Sequence, residues 1–260
     1  MAGSSAKPVR TYGPNGTGLQ RGSSKIAVQL ARQIVDEVME QGLLPGDRLS
    51  PEAEMMQQYA VGRATVREAL RLLEMQGLIS MKTGPGGGPV LEQLRPADFA
   101  RMATLHFQMR GSTYHDVYVA LQAVEPLMAR LAAEAQDPEG LDRLREILAE
   151  ADEMDLEQDR REFFYNSVNF HATVSSISGN SVLDLFGSSL LTVHRPRSRS
   201  TITPVPLRSY VRTMHKLIAQ AIFDGNGELA EKLMREHSLD FRKRQVEINS
   251  AGVNERVKWE

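Results

Sequence analysis

The chain of 260 residues contains no cysteine. This absence excludes disulfide bonds, cysteine nucleophiles and thiolate-bound metal sites, because each of these needs a sulfur atom from the chain. Any metal ion bound here must therefore use histidine nitrogens and oxygen ligands. The six histidines are consequently the main candidates for metal ligands.

The sequence also lacks long apolar segments. No run approaches the roughly 18 consecutive apolar residues that a membrane-spanning helix needs. The N-terminal stretch MAGSSAKPVRTYGPNGTG has no apolar centre of the kind found in secretory signals. Because 41% of the residues are hydrophobic, the chain can still bury one large core or two of ordinary size. We therefore expect a folded, cytoplasmic protein.

Neither sign of charge dominates, since 31 basic residues face 33 acidic ones and the net charge is -2. This balance neither requires nor forbids a polyanionic partner. Residues 1–25 differ from the rest, because they contain lysine and arginine but no acidic residue, among glycine, serine and proline that cannot build a core. We predict a disordered basic tail there, for which a solubilising role and a nucleic-acid-binding role are both open.

Three helical segments and a hairpin are predicted next. Helical spacing of apolar residues covers residues 24–42, a second helix follows Ser50 as its N-cap, and a third covers residues 63–76. The stretches LISMKT and PVL, joined by GPGGGP, predict two strands with a glycine-rich turn. This order is typical of a winged helix-turn-helix, whose third helix enters the DNA major groove, and we assign it to residues 26–93.

Two arginines of the third helix are candidates for DNA contact. Arg63 and Arg67, four residues apart, share with Thr65 the side opposite the apolar stripe. Gly62 and Ala64 leave the start of the helix uncluttered, so its backbone amides can approach a phosphate. An ordinary solvated helix face is the alternative on this pattern alone.

The remainder of the chain is predicted to be helical. Apolar residues recur at helical spacing in six segments, which cover residues 114–135, 138–154, 159–178, 182–193, 205–224 and 228–250. We therefore predict a linker over 94–103, an all-helical bundle over 104–250 and a C-terminal tail over 251–260, with a short helix around residues 99–107 before the six main helices. The expected fold class is mainly α, with an N-terminal winged helix-turn-helix followed by this bundle.

Three histidines, His171, His215 and His237, lie on apolar helix faces. His215 and His237 are each about eleven residues from the turn DGNG, so in an antiparallel helix pair both lie about 16 Å from that turn and face each other. His171, in the middle of another helix, can complete a metal-binding cluster in the bundle core. Three separately hydrogen-bonded core histidines are the alternative.

The run GLLPGDRLSPEAEMMQQYAVGRATVREALRLLEMQGLI resembles the DNA-binding domain of GntR-type bacterial transcription regulators, over about residues 26–91. The resemblance implies a homodimer on a two-fold-related operator. The operator contacts that it implies correspond here to Arg48, Glu52, Arg63, Ala64, Thr65, Arg67, Gly84, Gly86 and Gly87. This sequence departs from the family at Ala53, where arginine is usual, and at Gly62, where serine is common, so the operator sequence stays open.

The stretches FHATVSSISGN and HKLIAQAIFDGNGELAEKLMREH resemble the effector domain of the FadR branch of these regulators, the all-helical FCD fold, over about residues 100–248. The resemblance implies a divalent ion held by three histidines and by an aspartate one turn before the first of them, often with a small carboxylate effector on the ion. His171, His215 and His237 match the histidines, but Ser167 occupies the place of the aspartate. Leu121 is a second departure, since arginine is frequent there.

The missing carboxylate favours ions that accept imidazole well, such as zinc or nickel. A metal-free cluster that binds a larger effector directly is the alternative. The predicted effector-binding residues are Ser167, His171, His215, His237 and Arg195. For the polar segment HRPRSRS, which contains His194 and Arg195, we expect a solvated loop, with Arg195 as an anchor for an anionic effector as the alternative.

The two resemblances together predict an effector-responsive, DNA-binding transcription regulator, most often a repressor, whose ligand shifts the two recognition helices of a homodimer. The effector expected is a small organic acid. The alternative is an enzyme that activates water on a three-histidine metal site. The chain contains neither HExxH nor GxSxG, and GPGGGP lacks the Lys-Ser/Thr pair of a phosphate-binding P-loop.

Overall fold

The computed structural model describes residues 23–84, 87–200 and 204–259, with the side chains of 23–24, 195–200 and 249–253 left aside. The chain divides into two units, Met1–Leu94 and Arg95–Glu260, each built around its own hydrophobic core. The predicted basic tail over 1–25 lies outside the described residues, apart from its last three residues, which begin the first helix.

The N-terminal unit contains three helices and a two-stranded antiparallel sheet. The helices are α1 (Ser23–Glu40), α2 (Glu52–Gln58) and α3 (Arg63–Met75), and the strands are β1 (Ile79–Lys82) and β2 (Gly88–Leu91). Ile79 pairs with Leu91 in the sheet, and both are buried against the helices. The apolar stripe of α3, formed by Val66, Ala69, Leu70 and Leu73, fills the centre of this core. The predicted winged helix-turn-helix is confirmed.

The start of α2 differs from the prediction, because its N-cap is Pro51 and not Ser50. The preceding residues pair with β2 instead: Leu49 donates its backbone N–H to the Pro89 carbonyl at 3.0 Å, and Arg48 forms a bridge with Val90. This pairing keeps the chain extended for one residue more than local propensity indicates.

The C-terminal unit consists of helices only, among the residues that the structure describes. These are α4 (Pro96–Arg110), α5 (Tyr114–Ala135), α6 (Pro138–Glu153), α7 (Arg160–Ile177), α8 (Ser181–Ser200), α9 (Val205–Phe223) and α10 (Gly227–Val253). Helix α5 is central and contacts α7, α8, α9 and α10. The predicted all-helical bundle is confirmed. None of these helices combines the length and the apolar character that a membrane span requires.

Helix α4 occupies the segment predicted as a linker over 94–103. Proline at position 96 stands in the first turn of this helix, where its missing N–H has no cost, and Asp98 accepts a hydrogen bond from the Arg95 backbone N–H at 3.3 Å. Pro96 therefore begins a helix inside the segment predicted as a linker. Ser189 of α8 donates a hydrogen bond to the Pro96 carbonyl at 3.0 Å and attaches α4 to the bundle.

The segment predicted as a C-terminal tail over 251–260 is also part of the fold. Helix α10 continues to Val253, and Val257 is then completely buried beside Tyr114 and Val117. The Val257 N–H donates to the Ser112 carbonyl at 2.9 Å. The apolar side chain and the backbone pairing together hold this segment against the start of α5.

Candidate functional site

Three histidines from three helices meet inside the C-terminal unit. His171 comes from α7, His215 from α9 and His237 from α10, and one ring nitrogen of each lies within 4.8 Å of the others. The ring centroids are 5.0 Å apart for His171 and His215, 5.0 Å for His215 and His237, and 5.5 Å for His171 and His237. The structure therefore brings together the three histidines that the sequence singled out.

Local packing holds each imidazole in place. The α9–α10 turn is closed by Gly225 in a left-handed conformation and by Asn226, whose Oδ1 accepts the Leu229 N–H at 3.1 Å, so the two helices run back alongside each other. The ring of His215 stacks on Phe170 with centroids 3.9 Å apart. On α7, the Asn166 side chain donates to the Ile147 carbonyl of α6 at 2.9 Å, which fixes the helix that carries His171.

The imidazoles have nitrogens without partners. His171 Nδ1, His215 Nε2 and His237 Nδ1 are buried and have no aligned hydrogen-bond partner within the described part of the chain. Burial, followed by the nearby His237 and His171, lowers the pKa of His215 well below its ordinary value. Burial and then His171 lower the pKa of His237 to about 3. Both rings are therefore neutral at pH 7 and can each offer a lone pair to a cation.

A divalent metal ion fits this donor set. Three buried or partly buried imidazoles with ring nitrogens this close together match the ligands of zinc and of neighbouring transition metals. His171, His215 and His237 would hold the ion, and further coordination positions would be open to water or to an oxygen of a ligand. Ser167, one turn before His171 on α7, lines the cavity beside it but carries no carboxylate.

Glu125 is a site residue that the sequence analysis did not identify. Its Oε1 lies 2.8 Å from His171 Nδ1, although the two groups are not aligned for a hydrogen bond, and Ser238 donates to its Oε2 at 3.3 Å. Only 7% of the residue is exposed. The detectable signal was an acidic residue within the mostly apolar stretch LQAVEPLMARLAA of α5.

A cavity of about 360 Å³ opens beside the histidines, and helices α5 and α7 to α10 line it. Its wall includes Leu121, Glu125, Ser167, His171 and His237, so the predicted metal ligands face a space of the size that small molecules occupy. His215 lies behind them. His194, for which a solvated position was one expectation, is partly buried and also lines the cavity. The side chain of Arg195 lies outside the described residues.

Arg208 of α9 contributes the guanidinium of the same cavity wall. The residue is 2% exposed, and its Nε and Nη1 are buried without a hydrogen-bond partner within the described ranges. Burial lowers its pKa, and the nearby Arg160 lowers it further, whereas Glu157 and Asp155 act in the opposite direction. The sequence did contain a signal, because Arg208 precedes His215 by two helical turns and so shares its face.

The residues predicted to contact DNA lie on the surface of the N-terminal unit. Arg63, Ala64 and Arg67 are exposed on α3 and Thr65 is half-buried there. The Nε of Arg67 donates to Glu52 Oε2 of α2 at 3.0 Å, so the carboxylate orients this guanidinium while more than half of its side chain stays exposed. Arg48 is exposed just before α2.

The wing is a tight turn between β1 and β2. Gly84 has a φ of 99°, which disfavours any side chain, and the Gly87 N–H donates to the Gly84 carbonyl at 2.9 Å. A Cβ at Gly87 would collide with the Lys82 carbonyl oxygen. Glycine is therefore required at both positions, whereas Gly86 lies outside the described residues.

Comparison with known proteins assigns a family to each unit. Residues 26–87 match the family described as bacterial regulatory proteins, gntR family, and residues 116–240 match the FCD domain. The chain is similar to the HTH-type transcriptional regulator LutR of Bacillus subtilis, with 26% identity over 200 residues, which are 75% of this chain and 90% of LutR. It is also similar to the HTH-type transcriptional repressor NanR of Escherichia coli, with 26% identity over 230 residues, 83% of this chain and 84% of NanR.

A solved structure described as Streptococcus agalactiae GntR has the same fold. The TM-score is 0.65 and the identity is 21%, over 84% of this chain and 99% of that one. The named relatives are transcription regulators and not enzymes, so the prediction of a regulator is confirmed and the enzyme alternative is not supported.

Proposed function

Since the chain belongs to the GntR-family transcription regulators and carries an FCD effector-binding domain, we propose that it is a homodimeric repressor controlled by a small organic acid. The acid binds in the cavity beside His171, His215 and His237 and shifts the affinity of the dimer for operator DNA. The three histidines hold a divalent ion, with zinc or nickel favoured, and the ion supplies a positive centre for a carboxylate.

The observation that carries this proposal is the cluster of three histidines beside a cavity, in which His215 Nε2 and His237 Nδ1 are buried and have no hydrogen-bond partner within the described residues. Buried polar atoms without a partner cost free energy, so a site of this kind favours a ligand that satisfies them. The neutral state of His215 and His237 suits a cation and not a second proton. Glu125 positions the His171 ring through its contact at Nδ1.

The DNA-binding half of the proposal is supported by the exposed surface of α3. Arg63 and Arg67 stand one helical turn apart and are solvent-accessible, and Arg67 is already held by Glu52. Arginine in this arrangement can bind guanine edges or phosphates in the major groove. Gly84 and Gly87 allow the wing to approach a phosphate backbone closely. The domain limits proposed for this unit are residues 26–93.

Two measurements test the proposal. Elemental analysis of the purified protein is expected to find close to one transition-metal ion per chain, and His237→Ala is expected to lose it, whereas His106→Ala, at an exposed position on α4, is expected to keep it. A chelator is then expected to abolish thermal stabilisation by small carboxylates. Full metal content in His237→Ala would contradict the three-histidine site.

The second measurement uses DNA from upstream of the chain's own gene. Fluorescence anisotropy is expected to show binding to a palindromic site within that DNA, and a stabilising carboxylate is expected to change the Kd. A carboxylate that stabilises the protein but leaves the operator Kd unchanged would separate ligand binding from regulation and overturn the regulatory part.

A further inference from the structure

The positive charge of Arg208 is buried, so it destabilises the folded protein unless an anion pairs with it. The guanidinium belongs to one of the largest fully buried side chains, and its Nε and Nη1 have no hydrogen-bond partner within the described residues. Asp155 and Glu157 interact electrostatically with Arg208, but both are exposed. Neither forms an ion pair with Arg208 in the described part of the chain. An unpaired buried charge is costly, so the site favours an anion.

The position of Arg208 places this anion in the same cavity as the histidines but at a different point. Arg208 and His215 are seven residues apart on α9, so their Cα atoms are separated by about 10 Å along the helix. Arg208 and His237 both line the cavity, which has room for a small organic molecule between them. The cavity therefore offers two separate centres for oxyanions, one at the histidines and one at the guanidinium.

Two separate cationic centres in one cavity favour a ligand with two anionic groups, because each group then lies beside its own positive charge. Arg160 and Arg161 also line the cavity, but both are exposed, so water screens their charges more than that of the buried Arg208.

We propose that the effector is a small dianionic acid that spans the cavity, with one carboxylate at the histidine cluster and the other bound by the guanidinium of Arg208. This inference rests on the proposed effector site and adds to it the chemical class of the ligand. Because the N–H donors of a planar guanidinium are fixed in direction, its contact with a carboxylate is strong and selective for geometry. Arg208 is then a specificity-determining residue, because a monocarboxylate of equal length cannot satisfy it.

Arg208→Met tests the assignment, because methionine keeps much of the apolar bulk and removes the charge. Isothermal titration with the metal-loaded protein uses the saturated dicarboxylates from malonate to adipate, each beside the monocarboxylate of the same chain length. The wild-type protein is expected to bind at least one dicarboxylate about tenfold or more tightly than its monocarboxylate. In Arg208→Met this preference is expected to disappear, while the metal content stays unchanged.

Arg143→Met is the matched control, since Arg143 is exposed on α6 and does not line the cavity. It is expected to retain the full preference for the dicarboxylate. A phosphonate analogue, 3-phosphonopropionate, shows whether the group at Arg208 is a phosphate instead: tighter binding than any dicarboxylate, lost in Arg208→Met, would overturn the assignment to a second carboxylate.

The melting temperature of the ligand-free protein provides an independent readout. Removal of a buried, unpaired guanidinium is expected to raise the melting temperature of Arg208→Met above that of the wild type. A lower melting temperature together with an unchanged preference for dicarboxylates would show that Arg208 has a structural role and overturn the proposal. If His237→Ala loses all carboxylate binding but Arg208→Met still prefers dicarboxylates to monocarboxylates, the effector site at the histidines is supported. The same result would exclude Arg208 as the residue that binds the second carboxylate.

Discussion

Glu125 places a buried carboxyl group beside the histidine cluster. The family resemblance indicates an aspartate at the position of Ser167, but the buried carboxylate nearest to the histidines comes from α5, with Glu125 Oε1 at 2.8 Å from His171 Nδ1. A carboxylate beside a ligating histidine fixes the ring and increases its basicity. The carboxyl group nearest to the histidine cluster therefore comes from α5 and contacts His171, whereas the family resemblance indicates one on α7.

Glu125→Gln is expected to weaken zinc binding by about tenfold or more, because the amide keeps the size of the side chain but removes the carboxyl group that contacts His171. Competition with a chromophoric chelator measures the change. Glu146→Gln, at an exposed position on α6, is the control and is expected to bind zinc as the wild type does. Equal affinities in all three proteins would remove Glu125 from the metal site.

The histidine cluster also predicts how stability depends on pH. The pKa of His237 is lowered to about 3 by burial, so below about pH 6.5 the unfolded chain binds a proton at this position that the folded chain does not. The free energy of unfolding of the metal-free protein is therefore expected to decrease as the pH falls from about 6.5 towards 3, by up to about 1.4 kcal/mol per pH unit for this histidine.

Urea unfolding of the metal-free protein between pH 7 and pH 4.5 measures this dependence. His237→Leu is expected to flatten the decrease by the contribution of one proton, whereas His106→Leu, at an exposed position, is expected to leave it unchanged. A slope in His237→Leu identical to that of the wild type would show that the acid sensitivity arises elsewhere.

At the scale of the element, α3 is the helix on which DNA recognition depends. Its buried stripe fixes the rotation of the helix, and this rotation leaves Arg63 and Arg67 exposed one turn apart. Because Glu52 of α2 holds Arg67 at 3.0 Å, the two helices position this guanidinium together. Because this ion pair is exposed, Arg67 can exchange the Glu52 carboxylate for water or for a group of the DNA at a small cost in free energy.

Arg67→Ala is expected to weaken operator binding by about 1–3 kcal/mol, the usual value of an arginine contact with a base or phosphate. A gel-shift titration measures the change. Arg143→Ala, in the other unit, is the control and is expected to leave operator affinity unchanged. An unaltered Kd for Arg67→Ala would exclude this side chain from the interface.

The elements themselves were predictable to different degrees. Helices α5, α6, α7, α9 and α10 begin within a residue or two of the predicted positions, because glycine, proline, asparagine and serine separate apolar stripes that are clear in the sequence. The start of helix α4 at Pro96 and the segment around Val257 were missed, since both depend on contacts with residues distant in the chain, such as Ser189 and Tyr114. The prediction of a histidine cluster succeeded because the α9–α10 turn fixes the register of two of its members.

The spacing of apolar residues alone did not identify Glu125 and Arg208 as site residues. Glu125 and Arg208 are polar residues on apolar stripes, and a pattern of apolar spacing does not state whether such a residue faces solvent, a partner or a cavity. Their burial is decided by how α5 and α9 pack against α7 and α10, which is a property of the assembled bundle.

At the scale of the whole molecule, a homodimer can be recognised by its mass and by the spacing of its operator half-sites. Light scattering is expected to give a mass about twice the 28.9 kDa of one chain, and operator half-sites are expected to be centred about one helical turn of DNA apart. The Kd for the operator is also expected to increase steeply with salt concentration, because each neutralised phosphate releases counterions. A monomeric mass at concentrations that saturate the DNA would contradict the dimer.

The unpartnered nitrogens of Arg208 and of the histidines also bear on how long the protein persists in a cell. Each buried polar group without a partner costs about 1–3 kcal/mol, so the chain without ligand and metal is the less stable form. Proteases remove chains that unfold, and a loss of about 1–2 kcal/mol is enough to change abundance several-fold. We therefore expect ligand supply to set the quantity of this regulator as well as its occupancy of DNA, so that scarcity of the ligand shortens the lifetime of its own sensor.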